Sequence, residues 1–351
     1  MPSVSVLMPT YNRAPYLKLT LEGFAQQTIQ GWELVLVDDG STDKTEEVVD
    51  AFKDRLNILY LKQSNQGRAA ARNYACSKAR GHIWVFSDDD RIPTPRFIEE
   101  HLKTLGVDEK KISVGQKRDV LTHYSEAFQL PWDNHLLALF SRNPELSLKR
   151  MPKALTCLVT EENIREDFEA VMARLHYKNS PDNFDEIVAH YGEQLEKFLF
   201  GWVLCTTGNV ALHRPPKSAE IRFDEDYTGW GMEDTDFAYQ LVQAGYTVQC
   251  SPKAQNFHQL HPRGPSEPEE MRKNLKIFCE KHSGEQDLFG LTQKPGANLL
   301  SLFVRFIQRD YTLSALNQIA LELKSTQPQM FLQDYLRLSR ARALHILREP
   351  T

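Results

Sequence analysis

Short apolar runs alternate with segments of helical spacing in the first third of the chain. The apolar runs, each short enough for a buried strand, lie at residues 4–8, 33–37, 56–61 and 83–86. Between them, apolar positions recur at helical spacing in the segments 14–27, 42–54 and 67–78. Strands that alternate with helices of this length are typical of a mostly parallel sheet with helices on both faces. The pattern therefore predicts an α/β fold.

Clusters of polar residues follow three of the predicted strands directly. They lie at Pro9–Arg13, Asp38–Asp43 and Asp88–Arg91. In an open parallel sheet, ligands bind at the carboxyl ends of the strands, which lie at the same edge. The sequence therefore predicts one ligand site that is built from all three clusters.

The remainder of the chain is less regular. Its predicted elements are a largely helical segment over 115–200 without an assignable motif, a strand over 206–212, a helix near 236–243, a strand over 247–250 and helices from 297 onward. The α/β pattern thus extends past residue 200, and a helical tail follows it.

The composition excludes several classes of protein but does not indicate a function. Of the 351 residues, 41% are hydrophobic and 25% are charged, which is typical of globular domains. The formal charge of −5 shows no basic excess that would indicate nucleic acid as a partner. No secretory signal is recognisable, and the apolar stretch 299–304 is too short to cross a bilayer. We expect a cytoplasmic protein, with peripheral contact to the inner membrane face as an alternative.

The acidic triplet at Asp88, Asp89 and Asp90 is the first candidate for chemistry. Three adjacent carboxylates repel one another, so a cation is expected to compensate them. Carboxylate oxygens suit Mg²⁺ or Mn²⁺, which take further ligands from phosphate groups and water. Asp88 could instead accept a hydrogen bond from a ribose hydroxyl. The structural alternative is a solvated acidic turn, but the position after a buried strand favours binding.

Two further segments point to a nucleotide. Asp39 could accept a hydrogen bond from a base N–H, and Gly67 opens a helix on which Arg68 and Arg72 share a face. A helix N-terminus beside guanidinium groups suits a nucleotide base or a diphosphate. Neither segment contains G-x-G-x-x-G or G-x-x-x-x-G-K-[ST], which argues against dinucleotide and P-loop sites. The structural alternatives are a helix cap at Ser41–Asp43 and a surface helix with solvated arginines.

The sequence Gly-Trp-Gly-Met-Glu-Asp, which ends at Asp234, is the second strong cluster. Gly229 and Gly231 let the backbone approach a ligand closely, and the Trp230 indole suits the apolar face of a sugar. Glu233 and Asp234 lie at a predicted helix start, where the helix dipole favours ionised carboxylates. An ionised carboxylate near an acceptor hydroxyl is what a general base requires. The structural alternative is helix capping by acids beside a core tryptophan.

Two histidines, His258 and His261, follow a predicted strand. A lone histidine is most often structural, but imidazole is also a common metal ligand. Either ring could complete a metal shell that begins at Asp90, and His258 is the better candidate.

Together these segments resemble the inverting GT-A glycosyltransferases of family 2. The resemblance rests on five motifs in order, namely Pro9-Thr-Tyr-Asn-Arg13, Val37-Asp-Asp-Gly-Ser41, Asn65 to Asn73, Asp88-Asp-Asp90 and the Gly-Trp-Gly-Met-Glu-Asp sequence. The last motif is similar to the acceptor-side motif of β-galactosyl- and N-acetylgalactosaminyltransferases, including bacterial chondroitin-polymerase-like modules. Thr207–Val210 resembles the strand that precedes this motif in those transferases. The matches cover about 1–105 and 203–262.

The resemblance implies a GT-A fold with a mostly parallel, Rossmann-like sheet that binds a nucleotide sugar. The expected organisation is a catalytic domain over 1–262, made of a nucleotide-sugar half (1–110), a largely helical insertion (115–200) and an acceptor half (203–262), followed by a helical extension over 263–351.

The resemblance also implies roles for individual residues, with a UDP-sugar as donor and Mn²⁺ or Mg²⁺ as cofactor. The residues implied in nucleotide-sugar binding are Pro9, Thr10, Tyr11, Arg13, Asp39, Gly67, Arg72, Asp88 and Asp89. Sugar contacts are implied for Asn209, Gly229, Trp230 and Gly231. Asp90 and His258 would hold the metal, with the assignment among the three aspartates open. Asp234 would be the catalytic base, with Glu233 as its neighbour.

The implied reaction is a direct displacement that moves a sugar to a hydroxyl of a glycan, a lipid-linked acceptor or a peptide. A sugar nucleotidyltransferase is one alternative, but it would need a glycine-rich basic loop after the first strand, where Pro9–Arg13 stands. A non-catalytic sugar-binding module is the other, although all the carboxylates for chemistry are present. Repeated addition by a polymerase would normally need two active sites. The sequence has one set of motifs, which favours transfer of a single sugar.

The C-terminal helices have an apolar face and a basic end. Leu313, Leu316, Ala320 and Leu323 share a face, and arginines recur over 337–348. We expect these helices to pack on the catalytic domain or in a homodimer. Contact with anionic lipid is the alternative.

Overall fold

A computed structural model describes residues 3–128, 133–144, 146, 152–179, 183–216, 218, 220–262, 266–283, 298–307 and 311–326. The strands are β1 (Val4–Thr10), β2 (Trp32–Asp38), β3 (Ile58–Lys62), β4 (Ile83–Phe86), β5 (Arg91–Pro93), β6 (Lys111–Val120), β7 (His123–Tyr124), β8 (Thr156–Cys157), β9 (His176–Asn179), β10 (Val210–His213) and β11 (Thr247–Gln259). The helices are α1 (Ala14–Ala25), α2 (Thr45–Asp50), α3 (Arg68–Lys78), α4 (Phe97–Leu105), α5 (Asn134–Arg142), α6 (Glu161–Glu166), α7 (Phe168–Leu175), α8 (Phe184–Tyr191), α9 (Glu233–Gln243), α10 (Glu267–Ser283), α11 (Asn298–Ile307) and α12 (Leu313–Thr326).

One nine-stranded sheet carries the fold. Its order is β3-β2-β1-β4-β10-β6-β11-β5, and β9 pairs with β6 at the side. The strands β1 to β4 are parallel, as the alternating pattern predicts, and the α/β fold class is confirmed. The second half is mixed, because β10, β5 and β9 join it antiparallel. The carboxyl ends of β1, β2 and β4 therefore meet at one edge.

Strand β6 is the largest difference from the predicted elements. The segment 115–200 was expected to be largely helical, but its first residues lie in β6, in the middle of the sheet. Gln116, Lys117 and Asp119 are all buried in β6. Because these residues are polar, a search for apolar runs does not detect the strand. They can be buried because their bonding partners come from distant parts of the chain. Helices α5 to α8 agree with the helical expectation farther along.

Helix α2 is shorter than the predicted 42–54, and neither Ser41 nor Thr42 caps it. The Ser41 Oγ instead accepts a hydrogen bond from the Asn12 N–H at 2.9 Å. Asp43 Oδ1 accepts from the Thr45 N–H at 3.0 Å, so Asp43 satisfies a donor of the first turn. The loop after β2 is thus tied to the loop after β1.

Apolar side chains pack on both faces of the sheet. Phe24 and Phe97 lie in the cluster on one face, and the cluster on the other joins Phe86 to the C-terminal helices. Phe278 of α10 stacks on Trp202 with ring centroids 6.0 Å apart. The described part of the helical extension therefore packs on the sheet domain. The basic segment 337–348 and the Leu323 side chain lie outside the described residues.

Within the ranges that the structure describes, no helix combines the length and the apolarity that crossing a bilayer requires.

Candidate active site

A cavity of about 520 Å³ lies at the carboxyl ends of β1, β2 and β4, beside the start of α3. Most of the predicted site residues line it: Pro9, Thr10, Tyr11, Arg13, Asp39, Gly67, Arg72, Asp88, Asp89, Asp90, Gly229, Trp230 and His258. Motifs that are far apart in the sequence thus meet in one place, as the strand-end argument predicts.

The three adjacent aspartates face three different partners. Asp88 Oδ1 lies 3.0 Å from Arg72 Nη2. Asp89 Oδ2 accepts a hydrogen bond from Thr10 Oγ1 at 2.6 Å. Asp90 instead faces two histidine rings. The triplet is therefore divided between an ion pair, a hydrogen bond to β1 and a cluster of nitrogen and oxygen ligands.

Asp90, His258 and His261 form that cluster. Asp90 Oδ2 lies 3.8 Å from His258 Nε2 and 3.3 Å from His261 Nε2. One ligand atom from each residue lies within 4.8 Å of the other two. One carboxylate with two imidazoles suits Mn²⁺ and other transition-metal ions better than Mg²⁺, which prefers oxygen ligands. These residues therefore fit a divalent cation, and both histidines are in reach of Asp90.

Asp119 is a candidate that the sequence analysis missed. Its Oδ1 lies 3.1 Å from His258 Nδ1, and the register of β6 and β11 places the two residues side by side. A carboxylate that accepts from Nδ1–H leaves Nε2 as the free ligand atom. Asp119 lies at the carboxyl end of β6, so the strand-end argument would have found it if β6 had been recognised.

The neighbouring carboxylates Asp89 and Asp90 differ in their tendency to ionise. Burial raises the pKa of Asp89, and the Asp90 carboxylate adds to this effect. Burial also opposes ionisation of Asp90, but the facing His258 and His261 rings outweigh it and lower the pKa of Asp90. The negative charge is therefore concentrated on the carboxylate that faces the histidines.

Arg72 connects the acidic triplet with the start of α9. Its Nη1 lies 3.0 Å from Glu233 Oε1, while Nη2 pairs with Asp88. Arg72 and Glu233 are both buried. Glu233 is therefore held in a buried ion pair, one residue before the predicted base.

Asp234 lies in a different environment from Glu233. It is half-buried, and its Oδ1 accepts a hydrogen bond from the Thr235 N–H at 2.7 Å. Burial and the Glu233 carboxylate raise the pKa of Asp234 to about 6, against the opposite effect of Arg72. A carboxylate with this pKa is ionised at neutral pH and still basic enough to take up a proton.

Asp39 also lines the cavity. Its Oδ1 accepts from the Gln66 N–H at 2.8 Å, and its Oδ2 accepts from the Gly67 N–H at 2.9 Å. Gly67 adopts φ +91°, in the left-handed region that glycine favours. The carboxylate predicted to meet a base therefore also fixes the loop that leads into α3.

Two residues predicted to contact sugar lie behind the cavity wall. Asn209 is fully buried, and its amide donates to Gln116 O and Ala254 O at 3.0 Å each. Its Oδ1 lies 2.9 Å from His101 Nε2. In this structure Asn209 does not line the cavity, and its hydrogen bonds hold β10 against β6 and β11. Gly231 packs against α10 instead of lining the cavity.

Two family models match separate segments of the chain, and several curated proteins are similar over most of its length. Residues 5–155 match the family model described as glycosyl transferase family 2, and residues 222–262 match the one described as the N-terminal domain of galactosyltransferase. The chain is 27% identical to chondroitin synthase from Escherichia coli, over 78% of this chain and 37% of that protein. It is 29% identical to validoxylamine A glucosyltransferase from Streptomyces hygroscopicus subsp. jinggangensis, over 80% of this chain and 61% of that protein. The chain thus spans less than two thirds of both relatives.

Among solved structures, the chain is similar to S. aureus TarS. The TM-score is 0.50 at 16% identity, over 80% of this chain and 39% of that one. This likeness supports the GT-A fold class.

Proposed function

We propose that the protein transfers a sugar from a UDP-sugar to an acceptor hydroxyl, because residues 5–155 match the glycosyl transferase family 2 model and residues 222–262 match the galactosyltransferase model. One observation carries this proposal. The cavity is lined by the Asp90–His258–His261 cluster and by Asp88 and Arg72. Arg72 pairs with Asp88 and also with Glu233, which precedes Asp234 directly behind the lining residues. The transfer needs a group of cation ligands and a basic carboxylate close to it, and the Arg72 ion pairs connect the two.

In the proposed reaction Asp234 acts as the general base. Its carboxylate takes the proton of the acceptor hydroxyl while that oxygen attacks the anomeric carbon, and the bond to the UDP oxygen breaks. One displacement inverts the configuration, so an α-linked UDP-sugar gives a β-linked product. A divalent cation held by Asp90, His258 and His261 would neutralise the charge that develops on the diphosphate.

The remaining lining residues are proposed to hold the nucleotide. The start of α3, directly after Gly67, offers the N–H groups of its first turn and a positive helix end to an anionic donor. Tyr11 is 48% exposed at the cavity, so its ring is available to a base or a sugar. The donor side thus lies at the ends of β1, β2 and β4.

The proposal is tested by UDP release from UDP-glucose, UDP-galactose, UDP-N-acetylglucosamine, UDP-N-acetylgalactosamine and UDP-glucuronic acid in the presence of Mn²⁺. We expect turnover of at least one donor, its loss on chelation with EDTA and its return with excess Mn²⁺. UDP binding without release from any donor would favour a non-catalytic binding module. Formation of a UDP-sugar from UTP and a sugar 1-phosphate would favour a nucleotidyltransferase.

The relatives suggest which acceptor to test first. Two of them are chondroitin synthases, from Escherichia coli and Pasteurella multocida. A chondroitin oligosaccharide is therefore the first acceptor in the assay, followed by lipid-linked and peptide acceptors.

The pH dependence of turnover follows from Asp234. Because its pKa is raised to about 6, the basic form is lost as the pH falls through that value. We expect kcat to be level above pH 7 and to fall about tenfold per pH unit well below pH 6. The measurement is kcat from pH 4.5 to 8 at saturating donor and Mn²⁺, with Mn²⁺ affinity checked at each pH. A level profile down to pH 5 would contradict the assignment.

Removing the Asp119 carboxylate is expected to weaken metal binding. Asp119→Ala leaves His258 Nδ1 without its acceptor, and loss of such an outer partner typically costs about 10- to 100-fold in metal affinity. Asp119→Asn keeps an acceptor oxygen and should lose less. The measurement is Mn²⁺ binding by electron paramagnetic resonance, with the exposed Asp54→Ala as control. Equal affinity in Asp119→Ala and wild type would show that Asp119 does not orient the ring.

A further inference from the structure

Helix α10 lies beyond both segments that match a family model, yet it borders the cavity. It begins at Glu267, whereas the second match ends at residue 262. Glu267 itself lines the cavity beside Trp230. The helix therefore touches the side of the site that carries the Gly-Trp-Gly-Met-Glu-Asp sequence.

Asn274 of α10 binds the backbone of this sequence. Its side chain is fully buried, and Nδ2 lies 3.0 Å from Thr228 O, 3.3 Å from Trp230 O and 2.8 Å from Gly231 O. Three carbonyl oxygens thus converge on one amide group, which has two N–H bonds to share among them. An aspartate or an apolar residue at 274 could not make these bonds.

Glu270 binds the same segment from one helical turn earlier. Its Oε2 accepts a hydrogen bond from the Trp230 N–H at 2.8 Å. A Cβ at Gly229 would lie 2.5 Å from Glu270 Cδ, and one at Gly231 would lie 3.0 Å from Met271 Cε. Both glycines also have positive φ, +75° and +94°. The need for glycine on both sides of Trp230 therefore follows from contact with α10 as much as from close approach of a ligand.

The other end of α10 holds the helix that carries the proposed base. Lys281 Nζ lies 2.9 Å from Asp236 Oδ2, and His282 Nε2 is hydrogen-bonded to Asp236 Oδ1. Asp236 is fully buried in α9, two residues after Asp234. One helix thus contacts both the Trp230 segment and the first turn of α9.

We propose that Glu270 and Asn274 are positioning residues of the active site. By fixing the backbone of residues 228–231 against the start of α9, they set the place of the Trp230 indole relative to the Asp234 carboxylate. This inference rests on the proposed function, because it concerns the acceptor side of that site. The donor side, at the ends of β1, β2 and β4, lies outside these contacts. Loss of the two residues should therefore affect turnover without affecting nucleotide binding.

The test uses Glu270→Ala and Asn274→Asp in the full chain, with the exposed neighbour Glu269→Ala as matched control. The probes are UDP with Mn²⁺ for binding, and the UDP-sugar of fastest turnover in the donor panel for kcat. We expect the affinity for UDP to stay within twofold and kcat to fall at least tenfold in both variants. Glu270→Gln, which keeps an acceptor oxygen for the Trp230 N–H, should regain most of the turnover.

Two results would overturn the inference. One is an unchanged kcat in Glu270→Ala, and the other is a fall in kcat matched by equal losses of UDP affinity and thermal stability. Hydrogen–deuterium exchange gives a readout that needs no donor. Exchange at residues 228–232 should be faster in Glu270→Ala than in wild type and unchanged in Glu269→Ala. If no UDP-sugar turns over in wild type while this exchange result holds, the proposed function fails and the contact of α10 with the segment stands.

Discussion

Asp234→Asn is expected to lower kcat by about 10²- to 10⁴-fold, the range that general acid–base catalysis contributes, with UDP and Mn²⁺ affinity within twofold of wild type. The amide has the same shape and can still accept the hydrogen bond of the Thr235 N–H. It cannot take up a proton from an acceptor hydroxyl. The measurement is the rate of UDP release at saturating donor, together with calorimetric titration of UDP in the presence of Mn²⁺.

Glu233→Gln is the matched comparison for this experiment. Glu233 is paired with Arg72 in a buried site, and removing one partner of a buried ion pair typically costs about 3–5 kcal/mol of stability. We therefore expect Glu233→Gln to lower the melting temperature more than Asp234→Asn does. If Asp234→Asn kept near-normal turnover and Glu233→Gln lost it, the base would be Glu233.

Asp90→Asn is expected to remove Mn²⁺-dependent turnover, whereas Asp89→Asn should keep most of it. Asp90 is the carboxylate that faces His258 and His261, and a neutral amide is a poor replacement for it. Mn²⁺ affinity should fall further than it does when a residue hydrogen-bonded to a metal ligand is removed, which typically costs about 10- to 100-fold. Mn²⁺ titration by electron paramagnetic resonance and UDP release against Mn²⁺ concentration measure both effects.

Asp89→Asn tests the assignment within the acidic triplet. Its amide oxygen can still accept the hydrogen bond from Thr10 Oγ1, and the raised pKa of Asp89 already disfavours a negative charge at this position, so the change alters little beside Asp90. The variant should therefore fold and bind Mn²⁺ about as well as wild type. The opposite pattern, with Mn²⁺ binding lost in Asp89→Asn and kept in Asp90→Asn, would assign the metal to the middle carboxylate.

The first half of the fold and most of the cavity could be predicted because their signals are local. The strands β1, β2 and β4 are buried apolar runs, and polar residues begin where each strand ends. Strand β6 could not be found in this way, because its buried residues Gln116 and Lys117 are polar. The groups that bond to them are remote in sequence. Asp119 was missed with the strand that carries it.

Two other residues show why local patterns fail at buried polar positions. Asn209 looked like a sugar ligand, but its hydrogen bonds go to Gln116, Ala254 and His101. Arg72 looked like a nucleotide-binding arginine, and it does line the cavity, but its guanidinium is also paired with carboxylates from two separate segments. Such partners depend on tertiary structure, and no spacing in the sequence reports them.

The proposed reaction is metal-dependent transfer of a sugar from UDP with inversion at the anomeric carbon. Proton nuclear magnetic resonance during turnover of the active α-linked UDP-sugar tests it most directly, because it follows the donor, the product and its anomeric configuration together. We predict loss of the donor signal and appearance of a β-configured product with Mn²⁺, and no change with EDTA. A first-formed product of α configuration, or equal turnover with EDTA, would contradict the account.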